Sequence, residues 1–403
     1  MRKLTIVFFD AGGGHRNAAE ALKGVLEAQS RPWDVTLLNL QELLDSLDII
    51  RRITGIRLQD GYNLILRKGW TRPTRHMLVL LRGLVRLYHS QAVRVLEDYW
   101  LEHPTDLVLS VIPLFNRALA ESLQSVVPGT PFVTLLTDLA DCPPHFWIER
   151  ESEYLICGTE RAKQQALAMG HRQHYVFATS GMVLRSKFYE QRPIDRVAER
   201  KRIGLDPTLP TGLVLFGGHG APVMADIARH LDDSGKRLQL IMICGHNQNL
   251  AAELKGLHTK NPIFVEGFTS KIDYYMSLAD FFIGKPGPGC ISEALHFNLP
   301  VIVECNGSTM PQERYNAQWV TENRLGIVLK SFRDIASGVD QLLESTTFEE
   351  LRRNARAYSN RAIFEIPVIL DEVLIGHVPQ PATIASPLGN MDLGHDAAWA
   401  GSH

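Results

Sequence analysis

Three glycine-rich turns, each after an apolar run and before a helical one, hold the residues best suited to chemistry: Gly12-Gly13-Gly14-His15, Gly217-Gly218-His219-Gly220 and Gly284-Lys285-Pro286-Gly287-Pro288-Gly289. Glycine lets backbone amides approach a ligand closely, and the unpaired N–H groups and dipole of the following helix attract an anion. The third turn is read between a buried strand at 279–283 and a helix opening near Cys290, with Ser292 and Glu293 in its first turn. Its natural guest is a diphosphate. Glu293 would repel a phosphate directly, so its carboxylate is expected to reach past it to a neutral diol such as that of a ribose. No turn reads G-x-G-x-x-G followed by a ribose-binding acid, and none reads G-x-x-x-x-G-K-S/T, which disfavours a dinucleotide oxidoreductase and a P-loop ATPase. No D-x-D pair offers a metal site either.

The elements that must position these turns follow from the hydrophobic pattern. Apolar runs at 4–9, 35–40, 107–111, 132–136, 154–157 and 175–177 read as strands, with helical stretches at 17–28, 117–123 and 161–169 between them. After a charged, proline-containing segment the alternation resumes, with strands at 213–216, 238–244, 263–265, 281–283 and 301–303. Strand, helix, parallel strand implies an α/β fold of two Rossmann-like, doubly wound domains facing a cleft. The expected boundaries are 1–181 for an acceptor-binding domain, 182–210 for a linker and 211–362 for a donor domain. Residues 363–376 are expected to be a helix returning to the first domain, and 377–403 a disordered tail. Asp10, His15, Ser110 and Asp138 fall at or just past predicted strand ends, where such sheets gather their functional groups. A histidine in that place serves either as a loop hydrogen-bonder or as a base.

Composition narrows the class. The 403 residues are 45% hydrophobic and 21% charged, enough apolar material for two cores. Net charge is −2, so nothing global points to nucleic acid. Five scattered cysteines without a C-x-x-C pair argue against a disulfide framework and a zinc site, and fit a reducing cytoplasm. The first nine residues hold too few apolar positions for a signal-peptide core, and no run reaches the ~18 apolar residues of a membrane span. Residues 51–90 stand apart, with nine basic residues against the single acid Asp60. Arg67, Lys68, Trp70, Arg72, Arg75, Arg82 and Arg86 lie there among apolar side chains, as in a basic amphipathic segment resting on an anionic membrane or as a solvated face over a core helix.

Several motifs in order carry a family resemblance. Phe9-Asp10-Ala11-Gly12-Gly13-Gly14-His15-Arg16, the stretch Thr130-Pro131-Phe132-Val133-Thr134 with Thr137-Asp138-Leu139 and Cys142, the second glycine turn, Glu266-Gly267-Phe268, residues 284–295, and Pro311-Gln312-Glu313-Arg314-Tyr315-Asn316 carry it. Together they resemble the monogalactosyldiacylglycerol synthase and processive diacylglycerol glucosyltransferase group, with a more distant likeness to the lipid II-forming GlcNAc transferase. The resemblance implies a GT-B fold and inversion at the anomeric carbon without a metal or other cofactor. It implies that Phe268 holds uracil through its backbone, that Glu293 takes the ribose hydroxyls, and that Gln312 and Glu313 grip the donor sugar. The diphosphate would sit on Gly217, Gly218, Gly287 and Gly289, with Lys285 steadying it as it departs and Gly14, His219, Gly220 and Pro288 also lining the donor site. His15 is the implied base, with Asp138 as the alternative or as the partner that orients it.

Three departures from that group stand out: Ile112 replaces a histidine, Pro143 to Trp147 replaces the group's "CHPTWF" continuation and brings His145 and Trp147 to the acceptor region, and His219 replaces a glutamate. The expectation is a hexosyltransferase using UDP-galactose or UDP-glucose on a lipid hydroxyl, most simply diacylglycerol, peripheral on the inner face of the cell membrane. Competing readings are the same chemistry on another lipid or a small glycoside, a UDP-sugar 2-epimerase, and a non-catalytic UDP-sugar sensor.

Overall fold

The structure, a computed structural model, describes residues 1–10, 13–44, 82–83, 85–150, 154–190 and 193–376. Arg67, Lys68, Trp70, Arg72 and Arg75, most of the basic segment, and the tail after 376 lie outside the described residues.

Two six-stranded parallel sheets carry the fold, ordered β2-β1-β3-β4-β5-β6 and β12-β11-β10-β7-β8-β9. The first contains β1 (Arg2–Phe8), β2 (Trp33–Asn39), β3 (Leu107–Ser110), β4 (Phe132–Leu135), β5 (Tyr154–Cys157) and β6 (Val176–Ala178). The second contains β7 (Thr211–Leu215), β8 (Gln239–Ile243), β9 (Ile263–Glu266), β10 (Phe281–Gly284), β11 (Val301–Glu304) and β12 (Gly326–Leu329). Continuous apolar runs make these strands because helices cover both faces of each sheet, so no face is left to alternate. In the first sheet, helices Gly14–Ala28 and Ala362–Gly376 cover one face, and His89–Glu102 with Asn116–Val126 the other. Val223–Asp233 and Ile335–Leu343 cover one face of the second sheet, and Pro288–His296 and Pro311–Glu322 the opposite one.

Strand order reverses between β1 and β3 in one sheet and between β7 and β10 in the other. In a doubly wound sheet the connections leave toward opposite faces at that point and open a crevice at the strands' carboxyl ends. The loops after β1 and β3, and those after β7 and β10, are therefore the ones the topology exposes to a ligand. Those after β1, β7 and β10 are the glycine turns.

One difference from the sequence reading has a physical cause. The helix after β10 opens at Pro288, whose fixed φ suits a first helical position, so Glu293 lies in its second turn, one turn later than the pattern indicated. Near the end of the second half, helix Ser345–Ala357 begins where the Glu344 carboxylate accepts from the N–H groups of Thr346 and Thr347 and caps it.

The chain passes between the sheets twice. Helix Ala362–Gly376 buries Ile363, Ile366, Leu370 and Val373 against Leu4, Ile6 and Leu22 of the first half. Arg31 pairs with Asp371, and Trp33 Nε1 donates to the same carboxylate at 3.2 Å. At the crossing, Ser180 donates through both its N–H and its Oγ to Glu365 at 2.7 Å, and Asn360 Nδ2 donates to the Met182 carbonyl at 2.8 Å. Gly181 is the close approach: a Cβ there would lie 2.4 Å from Tyr358 Oη and 2.7 Å from Asn360 Cγ. Gly181→Ala is expected to cost about 1–3 kcal/mol by overpacking, read as a lower urea midpoint at unchanged m-value; a midpoint equal to wild type would show that the crossing yields freely.

Candidate functional site

On the first half, His15 lies in the first turn of helix Gly14–Ala28, after Gly13 has taken a left-handed turn at φ 79°. One ring N–H donates to the Val111 carbonyl, just past β3, and Nδ1 lies 3.2 Å from Thr137 Oγ1, just past β4. Three strand ends thus converge on one imidazole. Burial pushes its pKa down to about 4 against the pull of the Val111 carbonyl, so His15 is neutral at physiological pH. Asp10 and Arg16 close the loop that carries it through two hydrogen bonds of 2.8 and 2.6 Å.

Asp138 stands beside this imidazole. Its carboxylate accepts from Trp147 Nε1 at 2.8 Å, and the Trp147 ring lies 5.8 Å from the His15 ring. Burial within the cleft pushes Asp138 up to about 7, the Trp147 hydrogen bond pulls it down, and Glu313 and Lys285 from the second half act on it with opposite signs. Asp138 keeps partial solvent contact, so it is a recessed cleft wall open on one side.

Trp147 itself, expected in the acceptor region, is fully buried and meets that region only through its indole edge. Asp141 holds it there. That carboxylate, 1% exposed, accepts the backbone N–H groups of His145 at 2.8 Å, Phe146 at 2.9 Å and Trp147 at 2.7 Å. Arg82, read with the basic segment as resting on a membrane or as part of a solvated face, donates to the carbonyls of Pro143 and Pro144 in this loop, at 3.3 and 2.8 Å. With Arg86, Arg117, Arg150, His145 and Glu149 it lines a cavity of about 560 Å³.

On the second half, the turns after β7 and β10 face the same cleft. Gly245 takes φ +58° so that its backbone lies on the Gly218 carbonyl, where a Cβ would come within 2.2 Å, and His246 N–H donates to that carbonyl at 2.9 Å. This fixes the Gly217–His219–Gly220 loop against the next one. Beside it Phe268 is 64% exposed and lies flat on His246, ring centroids 4.0 Å apart, an aromatic surface of the kind that accepts a base.

In the turn after β10, Lys285 Nζ lies 2.9 Å from Glu313 Oε1, and Asn316 Nδ2 donates to the Pro286 carbonyl at 2.8 Å. Pro288, which has no N–H, opens the helix there after Gly287, whose N–H donates to the Lys285 carbonyl at 2.8 Å, so Gly289 carries the first N–H of the helix, and Gln312 Nε2 lies 3.6 Å from Met310 Sδ at the start of the next. Burial keeps the Cys290 thiol up at about 12, so no thiolate opposes an anion at this turn. Glu293 is pushed up to about 7 by burial, against the positive charges of Arg185 and Lys187. A carboxyl poised near neutrality suits a pair of neutral hydroxyls.

The structure therefore brings His15 and Asp138 together, and sets them opposite Lys285 and Glu313 across the cleft. Sequence reasoning gave no role to Asp141, Thr137, Asn316 or His246. Thr137 and Asn316 sat inside motifs that were read, and nothing in their types announced their partners.

A family model described as the glycosyltransferase family 28 C-terminal domain matches residues 212–372. The chain is 29% identical to monogalactosyldiacylglycerol synthase 1 of Arabidopsis thaliana, over 91% of this chain and 70% of that protein. It superposes on the crystal structure of Acinetobacter baumannii MurG with a TM-score of 0.61 at 14% identity, covering 92% of this chain and all of that one. The UDP-GlcNAc 2-epimerase of Neisseria meningitidis, solved with UDP-GlcNAc, gives a TM-score of 0.55 at 15% identity over 93% of this chain and all of that one.

Proposed function

We propose that this chain, whose residues 212–372 match the glycosyltransferase family 28 C-terminal domain, is a UDP-sugar-dependent hexosyltransferase of the GT-B fold that transfers galactose or glucose to the hydroxyl of diacylglycerol at a membrane surface. Glycosyl transfer to a lipid is the broader activity; the sugar, the acceptor and the mechanism below are our reading. The observation that carries it is the gathering of chemistry at the strand ends of both sheets, with His15 Nδ1 3.2 Å from Thr137 Oγ1 in one half and Lys285 Nζ 2.9 Å from Glu313 Oε1 beside the glycine turn after β10 in the other.

In this reading uracil lies at Phe268, the ribose diol on Glu293, and the diphosphate among Gly217, Gly218, Gly220 and the turn 287–289. Gln312 and Glu313 hold the sugar. The acceptor oxygen attacks the anomeric carbon in line with the departing diphosphate. Its proton passes to His15 as the new carbon–oxygen bond forms and the bond to the diphosphate oxygen breaks, so the product carries the inverted configuration and UDP leaves. Turn amides and Lys285 meet the charge that builds on the diphosphate, so the step needs no metal.

His15 is the base because of what the donor does to both candidates. A diphosphate in the cleft raises the pKa of each group near it. That draws His15 up from about 4 toward the range where a base works, and it drives Asp138, already near 7, toward its protonated form. Asp138 then orients the site through Trp147.

Among the described residues no helix is long and apolar enough to cross a membrane. With nine basic residues against one acid, the segment 51–90 suits an anionic surface, which supports peripheral attachment at the inner face of the cell membrane. Release of UDP from UDP-hexose, followed with and without diacylglycerol in anionic vesicles, tests the reading. Release that needs the lipid supports it. Interconversion of UDP-sugars with no acceptor present would replace it with an epimerase.

A further inference from the structure

The turn after β10 and the helix Pro311–Glu322 are joined by two contacts of different character. Asn316 is completely buried, and its hydrogen bond to the Pro286 carbonyl is out of reach of solvent. The Lys285–Glu313 pair is lopsided, with a Glu313 side chain 9% exposed and a Lys285 side chain 38% exposed. Both members lie against the phosphate turn: a Cβ on Gly287 would be 3.3 Å from Lys285 Cε, 3.8 Å from its Nζ and 3.6 Å from Glu313 Oε1. An anion seated at the helix opening, on the Gly289 N–H beside this pair, therefore competes with the Glu313 carboxylate for one ammonium. Glu313, buried, has no water to fall back on when it loses.

Taking the UDP-sugar reading as given, we propose that Lys285 is a latch exchanged by the donor: it holds Glu313 in the empty cleft, and the diphosphate draws it away so that Glu313 accepts from a hydroxyl of the sugar. Asn316 is the fixed pivot that keeps turn and helix in register while the pair opens. UDP alone takes the ammonium and leaves a buried carboxylate without a partner. UDP-hexose takes the ammonium and supplies the hydroxyl that replaces it. The site thus favours donor over by-product through one residue that touches the sugar and one that touches the phosphate, which promotes release of UDP after transfer.

Titration calorimetry with UDP and UDP-glucose on the full chain tests this through Glu313→Gln, Lys285→Gln and the double variant. Glu313→Gln removes the competitor while keeping shape, so UDP is expected to bind about three- to tenfold tighter, and the preference for UDP-glucose over UDP to shrink. In the Lys285→Gln background the same change should no longer tighten UDP. Tightening of equal size in both backgrounds would mean only long-range repulsion and overturn the latch, as would unchanged or weaker UDP binding by Glu313→Gln alone. Should Lys285→Gln fail to fold, Lys285→Arg keeps the charge and must keep the tightening. A wild-type chain that binds no UDP would overturn the donor reading and the latch with it; UDP binding with insensitive variants overturns the latch alone.

Discussion

His15→Ala is expected to lower kcat for glycosyl transfer by about 10²–10⁴-fold, the usual contribution of a positioned general base, while UDP still binds. The separation follows from where the contacts lie. His15 is held by Val111 and Thr137 of the first half, whereas the seats proposed for uracil, ribose and diphosphate are largely in the second. Loss of kcat with UDP affinity retained marks a group that acts in the transition state; equal loss of both would make His15 a structural member of the donor loop. Thr137→Val refines the test, because it removes the hydroxyl at Nδ1 and leaves the imidazole. A smaller fall in kcat is expected there, with the lipid KM little changed.

Asp141→Ala carries the second large effect, and its origin is stability. The carboxylate gathers three backbone N–H groups, at 2.7–2.9 Å, in a place where water does not reach. Burial pushes its pKa up while those donors pull it down. Removing it strands the donors in the interior, at about 3–5 kcal/mol in all for breaking a buried, charge-assisted cluster. Asp141→Asn keeps one acceptor oxygen and turns the other into a donor facing the His145 N–H, so its cost falls between. The loss is read from urea denaturation, and activity measured where the variant is still folded should fall as well, since Trp147 would no longer be held against Asp138. An Asp141→Ala chain as stable as wild type would refute this account of the loop.

Much of the frame was legible in the sequence because it is written in local pattern. Apolar runs closed by glycine turns marked the strands, and parallel connection then forced those turns to the crevices at β1/β3 and β7/β10. His15, Lys285 and Glu293 were singled out from their place beside such turns, and Asp138 from its place at a strand end. What sequence could not carry was partnership at a distance. Asn316 reaches a carbonyl in the turn after β10, and Trp147 reads as an exposed aromatic of the acceptor region until Asp141 and the core around it are seen to bury it. Both identities depend on which backbone groups the fold leaves unpaired, and that is decided only when two separate segments pack. Arg82 shows the same limit: the basic pattern named no partner within the chain for it, and the fold gives it two carbonyls of the loop at Pro143 and Pro144.

The central claim is transfer of a hexose from a UDP-sugar to a lipid hydroxyl with His15 as base. Radiolabelled UDP-galactose and UDP-glucose, supplied separately with diacylglycerol in anionic vesicles and EDTA present, test it most directly. The account predicts label in the chloroform phase from one of the two donors, dependent on diacylglycerol and lost in His15→Ala. Tight UDP binding with no label in the lipid from either donor would contradict it.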